Sequence, residues 1–144
     1  MLAETPTAAQ LSQVIGQVTA PSFLLGAVAG FISLLMARMN RIIDRSQVLD
    51  AISGDDRSRA DLKADMPRLQ HRAALLNRAI FFSTLAAIVT SSLVMIAFLF
   101  AYLETRHEYG VALLFVVALG FFTVSLIDLA RECRIALHEF DHRR

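Results

Sequence analysis

Apolar and polar positions sort this chain into three long apolar runs joined by charged segments. The runs cover residues 22–43, 79–103 and 111–129. Each approaches or exceeds the roughly 20 helical residues that a bilayer crossing needs. The second holds no charge and is apolar around its whole circumference, unlike the one-sided pattern of a helix on a soluble protein. Arg38 near the inner end of the first run is placed to snorkel to the headgroups.

The flanking pattern predicts further helix. Leu11, Val14, Ile15 and Val18 fall at i, i+3, i+4 and i+7, one face of an amphipathic helix. Residues 1–20 carry no Lys or Arg, so this segment is expected to lie in the outer interface. Pro21 is then expected at the first turn of the first span. No breaker follows that span until Gly54, so it predicts one helix running from lipid into the cytoplasm and stopping near Ser53 and Gly54. Met39, Ile42, Ser46 and Leu49 step 3-4-3 along it, a short seam of coiled-coil type. Pro67 restarts a helix in which Leu69, Ala73, Leu76 and Ile80 step 4-3-4. The two seams predict an antiparallel hairpin over residues 44–78. The expected fold is therefore all-α: an integral membrane protein of three transmembrane helices, with helices 1 and 2 extending into a cytoplasmic hairpin. Residues 1–20 form a periplasmic interfacial segment, residues 21–144 the membrane domain, and residues 130–144 a cytoplasmic tail that continues from Glu132 as an amphipathic helix with Ile135, Ala136 and Phe140 inward.

Composition agrees with that division. The 144 residues are 56% hydrophobic and 19% charged, too apolar for a soluble domain. Net charge is +1, which gives no bulk attraction for nucleic acid. The distribution of the cations is more informative. Residues 38–78 hold nine Lys and Arg, the outer turn only Arg106, and the tail Arg131, Arg134, Arg143 and Arg144. Counting flanking cations places the N-terminus outside and the C-terminus in the cytoplasm. Residues 1–20 lack the apolar core of a cleaved signal peptide.

Candidate chemistry is sparse. On the first helix Ser22, Gly26, Gly30, Ser33 and Ala37 share a narrow sector, which continues to Asn40 and Asp44. Small residues let helix backbones approach closely in lipid, with Gly26 and Gly30 in GxxxG spacing. This face reads either as a packing seam with a polar end or as the wall of a pore. Asn40 with Arg41 echoes Asn77 with Arg78, a pairing that suits lipid anchoring or gating at the inner headgroup level. Asp128 at the inner membrane edge needs a partner; Arg131, three residues on, is the nearest, and Arg41 or Arg78 could join it. With Arg45, these residues form the expected inner-interface polar cluster: Arg41, Arg45, Asn77, Arg78, Asp128 and Arg131. Ser83, Ala87, Thr90 and Ser91 mark a helix contact on the second span.

Other constellations point to no chemistry. His138 and His142 stand at i, i+4 without further ligands, and read as a solvated tail. Glu104, His107 and Glu108 in the outer turn could share a face toward a cation, but exposed turns are commonly charged. Cys133, the single cysteine, is expected as a plain buried or lipid-facing thiol. No nucleophile elbow, Walker loop or zinc-protease motif appears. No enzyme, cofactor or metal site is expected.

The run from Pro21 to Leu49 with Arg41-Ile-Ile-Asp-Arg45, the element Arg72-Ala-Ala-Leu-Leu-Asn-Arg-Ala-Ile80 and the third-span exit toward Arg131-Glu132 together resemble a family of small bacterial membrane proteins, catalogued only as a domain of unknown function. The resemblance runs to about Ala136. It implies a three-span protein of the bacterial inner membrane and supplies no activity or ligand. The expected partners are the lipid bilayer and further copies of the chain, and the expected function is a homo-oligomeric pore passing an ion. The alternative is a non-transporting scaffold or partner-binding subunit.

Overall fold

A computed structural model describes residues 8–51, 66–103 and 108–141. All three segments are helical: α1 is Ala8–Asp50, α2 is Met66–Tyr102 and α3 is Glu108–Asp141. Their 43, 37 and 34 residues correspond to about 65, 55 and 50 Å at 1.5 Å per residue. Each therefore exceeds the roughly 30 Å of a hydrocarbon core. All three are long and apolar enough to cross a membrane.

The first helix differs from expectation at its start. It begins at Ala8 and carries Pro21 inside it, rather than starting at Pro21. The expected interfacial segment and the first span are thus one helix. Proline removes one backbone donor and crowds the preceding turn, at about 3 kcal/mol in water. Breaking the helix in an apolar setting would instead strand several amides, each costing several kcal/mol. Nearby hydroxyls add acceptor satisfaction: Thr19 Oγ1 donates to the Ile15 carbonyl at 2.7 Å and Ser22 Oγ to that of Val18 at 2.8 Å. The same helix runs unbroken from Ala37 through Arg45. Its end at Asp50 is followed by a turn at Ala51, whose N–H donates to the Gln47 carbonyl; the expected stop at Ser53 and Gly54 lies outside the described residues. Pro67 sits in the first turn of α2, as expected. The third helix continues past the span into the tail as far as Asp141, as expected.

The second helix packs against both others, while α1 and α3 touch over a much smaller area. Apart from Val18 and Asp128, burial on each helix follows a seven-residue step. On α1 the buried line is Pro21, Val28, Leu35, Ile42 and Leu49. Two lines are buried on α2, one through Leu69, Leu76, Ser83, Thr90 and Ala97 and one through Ala79, Ala86 and Leu93. The line on α3 is Ala118, Ser125 and Glu132. A seven-residue step equals 3.5 residues per turn, the period of left-handed coiled-coil packing. Leu35, Ile42 and Leu49 join Leu69, Leu76 and Ala79 in one cluster. The two sequence seams do meet, but Met39, Ala73 and Ile80 only flank this cluster. Phe31 on α1 and Phe122 on α3 close the third side edge to face, with ring centres 5.3 Å apart.

Candidate functional site

Ser125, Asp128 and Glu132 stand at i, i+3 and i+7 on α3, so they share one helix face. All three are fully buried. Each rung of this polar ladder is met by residues of α2, and the lowest also by α1.

Glu132 makes the strongest rung. Its Oε1 accepts from Arg72 Nε at 3.0 Å and Nη2 at 2.7 Å, and its Oε2 from Arg38 Nη1 at 2.5 Å. One carboxylate thus ties α1, α2 and α3 together. Desolvating such a group costs several kcal/mol, and only closely fitted charge-assisted bonds offset that. Arg38 Nη1 also donates to Cys133 Sγ at 3.0 Å. The cysteine is therefore part of the clamp's surroundings, not a plain thiol against lipid. Arg38, expected to snorkel to headgroups, instead reaches across to α3.

Asp128 forms the middle rung less tightly. Arg78 Nε lies 3.1 Å from Oδ2, and Arg131 Nη1 lies 4.0 Å from Oδ1. Oδ2 has no partner in hydrogen-bond geometry. Both cations are more than half exposed, so their charges are shared with solvent. The Arg78 guanidinium also lies over the Phe82 ring, 5.5 Å from its centre, an attraction between cation and ring face.

The top rung is neutral. Ser125 Oγ donates to the Ala79 carbonyl at 2.6 Å, and Ser83 Oγ lies 2.7 Å from Ser125 Oγ. A hydroxyl has one proton, so Ser83 is the donor to Ser125. Ser125→Ala is expected to lower stability by about 1 kcal/mol in a detergent unfolding titration, since it strands a buried hydroxyl and removes the carbonyl's extra donor. Ser83→Ala should cost less, because the bond from Ser125 to Ala79 survives.

The site holds four arginines, Arg38, Arg72, Arg78 and Arg131, against two carboxylates. Guanidiniums occupy both oxygens of Glu132, which makes it a clamp. Among the described residues no three His, Cys, Asp or Glu side chains converge to hold a metal ion.

The expected inner-interface cluster is brought together in part. Arg78, Asp128 and Arg131 meet; Arg41, Arg45 and Asn77 lie exposed on their helices. Of the two arginines considered for Asp128 from other helices, Arg78 makes the contact. On the small face, Ser22, Gly26, Gly30, Ser33, Ala37, Asn40 and Asp44 are all exposed. A Cβ built at Gly26 or Gly30 meets nothing within 4 Å. On α2, Ser83 and Thr90 are buried, Ala87 half-buried and Ser91 exposed. The side chains of Glu104, His107, Glu108, His138, Phe140 and His142 lie outside the described residues. Sequence reasoning missed Glu132, which it left in the tail, and the roles of Arg38 and Arg72. The available signal was the spacing of Ser125, Asp128 and Glu132 on one face of a helix at the end of an apolar run.

Comparison with known families gives one match: residues 18–142 fit the family described as a protein of unknown function (DUF2721). No curated protein matches the chain, and no solved structure matches it.

Proposed function

The chain belongs to the DUF2721 family of unknown function, and from its own geometry we propose that it is a homo-oligomeric pore of the bacterial inner membrane. In this reading α1, α2 and α3 each cross the bilayer, with the N-terminus outside and the C-terminus in the cytoplasm. The excess of Lys and Arg in residues 38–78 and in the tail supports that orientation. The C-terminal part of α1 and the N-terminal part of α2 form the cytoplasmic hairpin.

The observation that carries the reading is the exposure of the whole small face of α1, a helix that buries only a narrow line against the rest of the chain. Its buried line points into the chain, and Ser22, Gly26, Gly30, Ser33, Ala37, Asn40 and Asp44 point out. Three helices in a layer around α2 enclose no path, so a conduit requires several copies. In lipid, faces of small residues associate by close backbone approach. A ring of α1 helices brings the glycines together and sets Asn40 and Asp44 at the inner mouth. Rings of carboxylates favour cations.

Purified protein in liposomes tests the proposal, with ion flux and subunit number read on the same preparation. The expected result is a multi-copy assembly that passes monovalent or divalent cations. A monomer, or a clean oligomer with no flux of cations or anions, overturns it. A stoichiometric foreign partner in place of further copies would establish the scaffold alternative.

A further inference from the structure

A shallow open groove runs along the outer side of α2, lined by Ala74, Asn77, Arg78, Ile80, Phe81 and Thr84. Its walls change character along the helix. At one end stand the amide of Asn77 and the guanidinium of Arg78. At the other stand the exposed ring of Phe81, the aliphatic Ile80, and Thr84. The Thr84 hydroxyl donates to the Ile80 carbonyl at 2.9 Å, so it presents chiefly its methyl group. The transition falls where the charged part of α2 gives way to its apolar run, which begins at Ala79.

The charge at the polar end is unbalanced. Among the described residues, Arg78 and Arg131 face the single carboxylate of Asp128 there. Arg78 meets Asp128 through Nε, and 56% of its side chain remains exposed. Its guanidinium is held by that contact on one side and by the Phe82 ring on the other. A more than half-exposed guanidinium resting on a ring face, with N–H groups turned outward, suits a phosphate. Charge complementarity therefore calls for an anion, and the apolar wall beside it calls for an acyl chain.

We propose that this groove binds an anionic phospholipid, with its phosphate on Arg78 and Asn77 and an acyl chain along Phe81 and Thr84. The bound lipid neutralises part of the surplus charge beside Asp128. It lies on α2, away from the small face of α1, so it rests on the membrane assignment and not on conduction.

Native mass spectrometry of the intact protein, titrated with phosphatidylglycerol and phosphatidylcholine, tests this. Wild type should hold the anionic lipid about tenfold more tightly, a modest return for one fixed charge pair near a protein surface. Asn77→Glu adds a carboxylate beside the phosphate at an exposed position and leaves the Arg78 contact with Asp128 in place. It should abolish the preference with unchanged thermal stability. Arg68→Gln, which removes an exposed cation more than two turns away on α2, should keep it. Equal affinity of wild type for the two lipids overturns the proposal. So does an equal loss in both variants, which would mean diffuse attraction. Displacement of the lipid by equimolar glycerol phosphate would identify a free-phosphate site and overturn it, as would a groove that Asn77→Glu frees from a second copy of the chain. Flux is measured separately: lost conduction with intact lipid preference would count against the pore alone, and the reverse against the lipid site alone.

Discussion

Replacing Glu132 with alanine is expected to destabilise the protein by about 3–5 kcal/mol, the range for leaving buried charge without its partner. Arg72 has only 16% of its side chain exposed and loses the contact with Glu132 that ties it to α3. Arg38, at 38%, turns partly to solvent, so most of the loss falls on Arg72. Asp128→Ala should cost less than Glu132→Ala, because Arg78 and Arg131 are 56% and 62% exposed and are hydrated when released. The ordering of these two variants is the sharper readout. A further variant separates charge from shape: Glu132→Leu combined with Arg72→Leu and Arg38→Met removes the buried charges together and should recover much of the lost stability. Unfolding in increasing denaturing detergent, followed by helicity, measures all of them. A Glu132→Ala variant within 1 kcal/mol of wild type, or a triple variant no better than the single, would mean that the clamp does not hold the helices.

Gly30→Leu is expected to weaken self-association by tenfold or more and to leave the protomer intact. The second half of that expectation follows from the open space at Gly30, where an added Cβ has no neighbour within 4 Å. Any loss is therefore intermolecular. Between copies, a leucine on a glycine face forces the backbones apart and forfeits the contacts that drive association in lipid. Leu24→Ile conserves volume and is the matched control; it should assemble as wild type does. Subunit number at graded protein concentration in mild detergent distinguishes them. If both variants assemble alike, the exposed face of α1 is not where the copies meet, and the path that it would line goes with it.

The three spans were legible because an apolar solvent imposes one requirement on every residue of a crossing helix. That same requirement hid the packing register. Val28 and Leu35 are buried while Leu34 and Met36 are largely exposed, yet all are equally apolar, so periodicity vanishes inside a span. At the ends of the runs and beyond them it reappears: Ile42, Leu49, Leu69 and Leu76 were readable and all join the core. Pro21 was misread because proline's preference for a first helical turn is a rule for helices that water can cap. The clamp was hidden for a different reason. Glu132 meets partners 94 and 60 residues away, and no local spacing encodes which distant arginine a carboxylate finds. Asp128 was easier because its need was plain from its position, and only its choice of partner remained open.

Both carboxylates, Asp128 and Glu132, ride on α3, while Arg38, Arg72 and Arg78 come earlier in the chain on α1 and α2. During synthesis these three arginines therefore emerge before the carboxylates that they meet in the folded protein. Docking of α3 is the event that ties α1 and α2 together through Glu132. Nascent chains that stall before Asp128 lack both carboxylates and form neither pair.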